Sequence, residues 1–403
     1  MSLANAQGWR IVAAMLLIQT IVSGFGFYNM AVYITEYAKA LQVPLAQVSF
    51  AVSLFFLSGG IAGMWIAKLL ARIDVRWIMV VGAVVAGLSL SALVWATSVW
   101  QLYVIFTVFG FANAGVSLVV ATTLINQWFP GRNRSIALSV SSTGLSIGGV
   151  LVTPLTAYYF NTHGLYAVMP WLGLIFIVCI VPLVLLIIRP APAGIMAEAF
   201  KGRSEWRYEE AIRTRFYVLL ALGYILCMGA QVGGIAHMYN RVEILADFAT
   251  AATAVQILTV CSITGRILGG FIVTRIPIRW VTVFNLLLQS AGLAVIAYAD
   301  SAAWAYLGAG MFGLSIGNLL MLQPLWLAEA FPGAVYARVY ALANALSVLG
   351  VALGPFLLGM LFDIGGYTQA YLWAVALSLC AWVIILAAGT TPQQTEPDLD
   401  PAV

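Results

Sequence analysis

The chain has 403 residues, 63% of them hydrophobic and only 8% charged, with a formal net charge of +4. Soluble globular domains carry about 25% charged residues, so this composition excludes a soluble protein. Its apolar runs reach the ~20 residues of a membrane-crossing helix rather than the ten-residue alternation of a barrel strand, which makes it an all-α membrane protein.

In chain order, the first apolar run begins near Ile11 and continues past Ser23. It is longer than the core of a secretory signal, and no small-residue cleavage site follows, so a retained helix is expected. Runs are predicted at 11–35, 47–70, 77–98, 101–127, 135–160 and 165–188, and again at 216–240, 249–273, 280–299, 302–328, 336–362 and 368–389. These twelve spans divide the chain into residues 1–188, a polar stretch 189–215, and residues 216–403 with a short acidic tail. The polar stretch opens on Pro-Ala-Pro and continues GRSEWRYEEAIRTR, which reads as a linker followed by a short amphipathic helix at the membrane surface.

The cations sort by side. Arg10, Lys68, Arg72, Arg76, Arg132, Arg134, those of the central stretch, Arg275, Arg279 and Arg338 fall on one face, and only Lys39 and Arg241 on the other. The positive-inside rule then puts both termini and the central loop in the cytoplasm, for a chain spanning the cell's inner membrane. The loop arginines set topology and imply no nucleic-acid partner. Cys179, Cys227, Cys261 and Cys380 all lie in apolar runs without ligand spacing, so neither a disulfide nor a metal site is expected. Gly59-Gly60, Gly148-Gly149, Gly269-Gly270 and Gly365-Gly366 are followed by no Gly-Lys-Ser/Thr, so they suit helix packing rather than a nucleotide, and no cofactor is implied. The spans show no nucleophile, metal or carboxylate pair of a membrane enzyme.

The two halves repeat. Ala71-Arg-Ile-Asp-Val-Arg-Trp77 after span two matches Thr274-Arg-Ile-Pro-Ile-Arg-Trp280 after span eight. Trp128-Phe-Pro-Gly131 matches Ala330-Phe-Pro-Gly333, and Leu145-Ser146, Gly149 and Pro154 match Leu346-Ser347, Gly350 and Pro355. A constant displacement across all three indicates two six-helix halves related as parallel repeats.

With these motifs the whole chain resembles the major facilitator superfamily, whose pattern is six plus six helices, a cytoplasmic central loop and duplicated basic loops. That family generally works as a monomer. In its loop signature Gly63, Arg72 and Arg76 are kept, but Ala71 stands where an Asp is expected and Thr274 in the second copy. The resemblance implies a cytoplasmic gate at Lys68, Arg72, Arg76, Arg275 and Arg279. More narrowly, INQWFPGRNRSIALSVSSTGLSIGG, GRILGGFIVTR and PGAVYARVYALANALSVLGVALGPFLLGMLFD look like the monocarboxylate-transporter and oxalate:formate-exchanger branch. There an arginine in span eight pairs with the substrate carboxylate and a tyrosine in span one lines the site; the matching residues are Arg266 and Tyr28. The second cation of the oxalate exchangers, in span eleven, is missing, and Ser262 stands where animal carriers have an Asp one turn before the arginine.

Arg266 also stands out without the resemblance. Its span holds no other charge, and a guanidinium at mid-membrane costs roughly 2.5–3.5 kcal/mol even on insertion scales. A chain keeps it for a partner, a wet cavity or an anionic ligand; a structural role, donating to carbonyls between helices, is the competing account. His237 is the other ionisable group well inside a span and a candidate for substrate or proton handling. Tyr28, Asn29, Asn113, Ser117, Asn318, Gln323, Asn344 and Ser347 are the polar candidates of the lining helices. The expectation is a secondary carrier of small monocarboxylates taken up with a proton, with organic-anion exchange or efflux of bulkier acids as alternatives.

Overall fold

A computed structural model describes residues 3–70, 72–129, 134–190, 206–273, 275–331 and 335–392. Among the described residues, eleven helices are long and apolar enough to cross a bilayer. The last is assigned over Tyr336–Ala388 but is broken at Gly366 (φ 75°, ψ 178°). The left-handed φ there suits a residue without a Cβ. Unbroken, that helix would be ~80 Å long, far more than the ~30 Å hydrocarbon layer. It folds back instead: Gly350 packs on the Ile225 carbonyl while Ile385 packs on neighbouring Gly223. Counting these two arms as spans 11 and 12 gives twelve crossings.

Span 1 is one long crossing in three pieces, Leu3–Ser23, a π turn Gly24–Tyr28, and Met30–Leu41. Span 2 is Leu45–Leu69 and span 3 is Val75–Ala92 with a closing 3₁₀ turn Leu93–Trp95. Span 4 is discontinuous: Val99–Asn113, a 3₁₀ turn Ala114–Val116, then Leu118–Trp128 after an extended Ser117. Spans 5 and 6 are Arg134–His163 and Leu165–Ile187. Spans 7 to 10 are Arg215–Leu245, Phe248–Ile272, Ile278–Tyr298 and Ala302–Ala330. Their starts follow ordinary capping chemistry. Ser98 and Gln101 form a capping box on span 4, and Asp247 accepts the Thr250 N–H at the head of span 8. Asp74 caps span 3, and its hydrogen bonds with the Arg76 guanidinium hold its carboxyl below the usual range.

The halves meet along long seams, span 2 against span 11 and span 5 against span 8, with span 1 reaching span 7. Opposite the basic face they are tied by Lys39–Glu243 (2.8 Å), by the Ala46 N–H on Asp363 Oδ2 (3.0 Å), and by Phe50 against Phe356. Exposed tryptophans form two belts, Trp65, Trp77 and Trp280 near the basic face and Trp95, Trp100, Trp304 and Trp373 near the other, as expected at membrane interfaces.

Within the central stretch, residues 191–205 lie outside the described residues, as does the acidic tail from 393. The helix observed there is the four-residue turn Tyr208–Ala211. It is held against the protein, with Trp206 edge-on to Phe331 and the Arg338 guanidinium 4.1 Å from the centre of the Tyr208 ring.

Close helix approach is illustrated by Gly110, where an added Cβ would lie 2.0 Å from the Phe55 carbonyl oxygen, whereas one at Gly270 would meet nothing within 4 Å. We expect Gly110→Val to lower the unfolding temperature of the purified protein sharply, overpacking costing typically 1–3 kcal/mol or more. Gly270→Ala should leave it unchanged or slightly raised, since alanine is the better helix former.

Candidate functional site

Span 8 carries Arg266 far from its capped start, ~27 Å along the helix from Phe248. The side chain is only partly exposed. Nη1 donates to the Ser142 carbonyl of span 5 at 2.6 Å, and Nε to the Gly317 carbonyl of span 10 at 3.4 Å. Among the described residues no carboxylate forms an ion pair with it. One turn earlier, Ser262 Oγ lies 3.4 Å from Ser146 Oγ of span 5. The Tyr28 hydroxyl lies beside both serines and feels the charge of Arg266. Tyr28 ends the π turn, a device that re-aims side chains and recurs at functional sites. Its ring lies over Gly149, where a Cβ would approach it to 2.8 Å. The fold thus brings together a guanidinium, a phenol and two hydroxyls from spans 1, 5 and 8. Such a cluster can offer a carboxylate a charged fork and neutral donors, in a place mostly closed to water.

His237 is placed elsewhere. It is fully buried, with Nε2 2.8 Å from the Pro355 carbonyl and 3.2 Å from Ser49 Oγ, and Nδ1 3.4 Å from the Tyr367 hydroxyl. A carbonyl only accepts, so Nε2 carries the proton and Nδ1 accepts from Tyr367, which itself accepts from Asn240 Nδ2 at 2.6 Å. His237 is ~12 Å from the end of span 7 on the face opposite the basic one, so it and Arg266 differ by roughly 15 Å in depth.

Most of the amides are interhelical ties. Asn318 Nδ2 donates to Asn285 Oδ1 at 3.0 Å, and its own oxygen sits over Gly269. Gln323 donates to Ser347 Oγ at 3.1 Å, and Ser347 to the Ala343 carbonyl. Asn29 donates to Thr156 at 2.8 Å. Asn113 sits against Gly26, Ser117 closes the break in span 4 on the Ala114 carbonyl, and Asn344 is partly buried. Of the expected gate cations, Arg76 is paired with Asp74 at 2.7 Å, Arg279 donates to the Leu386 carbonyl, and Arg72 and Arg275 are exposed. The Lys68 side chain lies outside the described residues. Ser146 and Ser262 were not singled out as site residues, and neither were two buried glutamines and a partly buried one. Gln19 donates to the Val116 carbonyl at the span 4 break, Gln256 reaches the Val150 carbonyl across the halves, and Gln231 is fully buried with both ends of its amide unpartnered among the described residues. The signal that could have found the glutamines is an amide inside an otherwise apolar run, the criterion that picked out the asparagines.

Twelve crossings in two six-helix halves, with a polar cluster where the halves meet, are the architecture of a secondary transporter. Residues 16–346 match the family description of the Major Facilitator Superfamily, and the chain belongs to that family. It is a multi-pass membrane transporter. It is 22% identical over 400 residues to monocarboxylate transporter 13 of Rattus norvegicus, covering 94% of this chain and 88% of that one. It is 23% identical over 326 residues to the cis,cis-muconate transport protein of Acinetobacter baylyi, covering 75% of each. Its fold is similar to the inward-facing, unoccupied crystal structure of a bacterial homologue of the human lysosomal transporter Spinster, with a TM-score of 0.72 at 16% identity over 95% of this chain and 97% of that one.

The Asn318–Asn285 pair is a structural tie rather than part of the Arg266 cluster. Asn318→Ala is therefore expected to lower thermal stability by about 1 kcal/mol, the scale of interhelical hydrogen bonds in membranes. Substrate affinity measured on the same preparation should stay within twofold.

Proposed function

We propose that the protein carries small monocarboxylates across the membrane, with Arg266 as the carboxylate anchor and Tyr28, Ser146 and Ser262 as neutral donors beside it. The observation that carries this reading is a guanidinium deep in a span that donates to backbone carbonyls of two other helices, with no acidic partner among the described residues. A carboxylate is a better acceptor for it than a neutral carbonyl, because both groups are then charged. One cation balances one negative charge, which favours a monocarboxylate. The names of the two relatives agree with an organic-acid substrate: one names monocarboxylates, the other muconate, which carries two carboxylates.

The basic face is then cytoplasmic, with both termini on it. Binding occurs between the halves, and rocking of one half against the other exposes the site alternately to each side. Proton symport is the first reading of the coupling, with the proton entering on the acid, since His237 is committed to Pro355 and Tyr367 away from Arg266. Exchange of one anion for another is the second, favoured by the Arg266–Ser142 bond, which ties the two halves when no anion occupies the arginine.

The test is uptake of radiolabelled short monocarboxylates into proteoliposomes. Wild type should show saturable uptake, stimulated by an inward proton gradient for symport or by trapped unlabelled acid for exchange. Arg266→Ala should lose at least about 30-fold, since truncating one partner of a buried charged pair costs about 2–5 kcal/mol. Arg266→Lys keeps the charge but not the fork and should fall between. Normal transport by Arg266→Ala would return the residue to a structural role.

A further inference from the structure

The last helix of the second half ends against two cations that share no carboxylate. Arg215, at the start of span 7, donates Nη2 to the Ala387 carbonyl at 3.3 Å, and Arg279, at the start of span 9, donates Nη2 to the Leu386 carbonyl at 3.1 Å. The two acceptors are adjacent carbonyls of the same helix end, so both guanidinium groups converge on it. Arg279 also lies 5.2 Å from the centre of the Trp280 ring, and its Nε is buried without a partner among the described residues. Among the described residues no carboxylate forms an ion pair with either arginine.

The first half meets the same capping need differently. There the neutral amide of Gln7 donates to the Ile187 carbonyl at 3.1 Å, and Arg189 to the carbonyls of Leu185 and Ile188. Arg76, which the internal repeat aligns with Arg279, is held by Asp74, and Arg189 also acts on that carboxyl. The repeat puts Pro277 in the place of Asp74. Capping a helix end requires a donor, which Gln7 supplies without charge. The paired charge of Arg215 and Arg279 therefore exceeds what the fold needs.

We infer that the notch formed by the ends of spans 7, 9 and 12 binds the phosphate of an anionic phospholipid. Two adjacent guanidinium groups suit a phosphodiester, and basic pockets between membrane helices bind such headgroups. Trp280, 54% exposed, marks the headgroup level. Just inside it Val218, Phe284 and Val383, one from each of the three spans, are exposed and offer apolar surface to acyl chains. A free phosphate shares the headgroup chemistry but would not use that surface.

The test is native mass spectrometry of the delipidated full-length protein titrated with phosphatidylglycerol or phosphatidylcholine. Wild type should bind phosphatidylglycerol preferentially. Arg215→Gln/Arg279→Gln should bind it about thirty-fold more weakly, from loss of two cations near the surface. Glutamine still donates to the carbonyls, as Gln7 does, so the variant should remain monodisperse with near-native thermal stability. Arg10→Gln/Arg207→Gln, removing two cations from the same face, should bind as wild type does. The inference is overturned if the Arg215/Arg279 variant keeps wild-type affinity. It is equally overturned if inorganic phosphate displaces the lipid at equal concentration, which makes the occupant a free anion. Binding that appears only after deletion of residues 393–403 would assign the notch to the acidic tail instead.

Discussion

In hydrocarbon a backbone carbonyl without a donor has no water to turn to, and each such group costs several kcal/mol. The polar residues of this chain are spent largely on that constraint. Arg241 caps the end of span 9 through the carbonyls of Ile296, Ala297 and Ala299, and Trp128 caps Arg189. Gln19 covers the interruption of span 4. Arg266 obeys the same rule with a difference. It satisfies carbonyls inside otherwise continuous helices, where the ladder already provides donors, so its charge is not explained by capping.

The architecture was legible because membrane crossing imposes a length and a polarity that one sequence displays. Eleven of the twelve runs coincide with helices to within a few residues at the basic ends, the first helix starting eight residues earlier than expected, and the repeats in the loops and in spans 5 and 11 announced two halves. The interruptions were harder to see. Nothing in SGFGFYN distinguishes a π turn from a helix, and Asn113–Ser117 breaks span 4 without a proline. At the site, Arg266 and Tyr28 were readable, one as a charge in an apolar run and both by resemblance. Ser146 and Ser262 were not, because which hydroxyl faces which helix is decided by packing. The asparagines gave the opposite difficulty: their chemistry was visible, but Asn318 and Asn29 turn out to answer other helices, and a sequence does not say who the partner is.

The seam between the halves changes character with depth. Towards the face opposite the basic one it is held by an ion pair and by a carboxylate on a backbone N–H, Lys39–Glu243 and Asp363–Ala46. Lys39 has a second acceptor on its own helix, Glu36, at 3.5 Å, so parting the halves there need not strand its charge. Deeper, the links are neutral hydroxyls and the guanidinium on Ser142. The first kind yields to water and ions, and the second to whatever competes for the arginine.

The end caps of the second half also carry a consequence for synthesis. The acceptors for Arg215 and Arg279 lie in Leu386 and Ala387, which leave the ribosome 172 and 107 residues after their donors. Until span 12 is inserted, the arginines at the starts of spans 7 and 9 stand without these acceptors and the Tyr371 clamp on Gly234 is unmade. The second half is thus a bundle whose closure waits on its final helix. A chain cut short there would present quality-control proteases with a nearly complete but open carrier, and its lifetime, rather than its insertion, would register the loss.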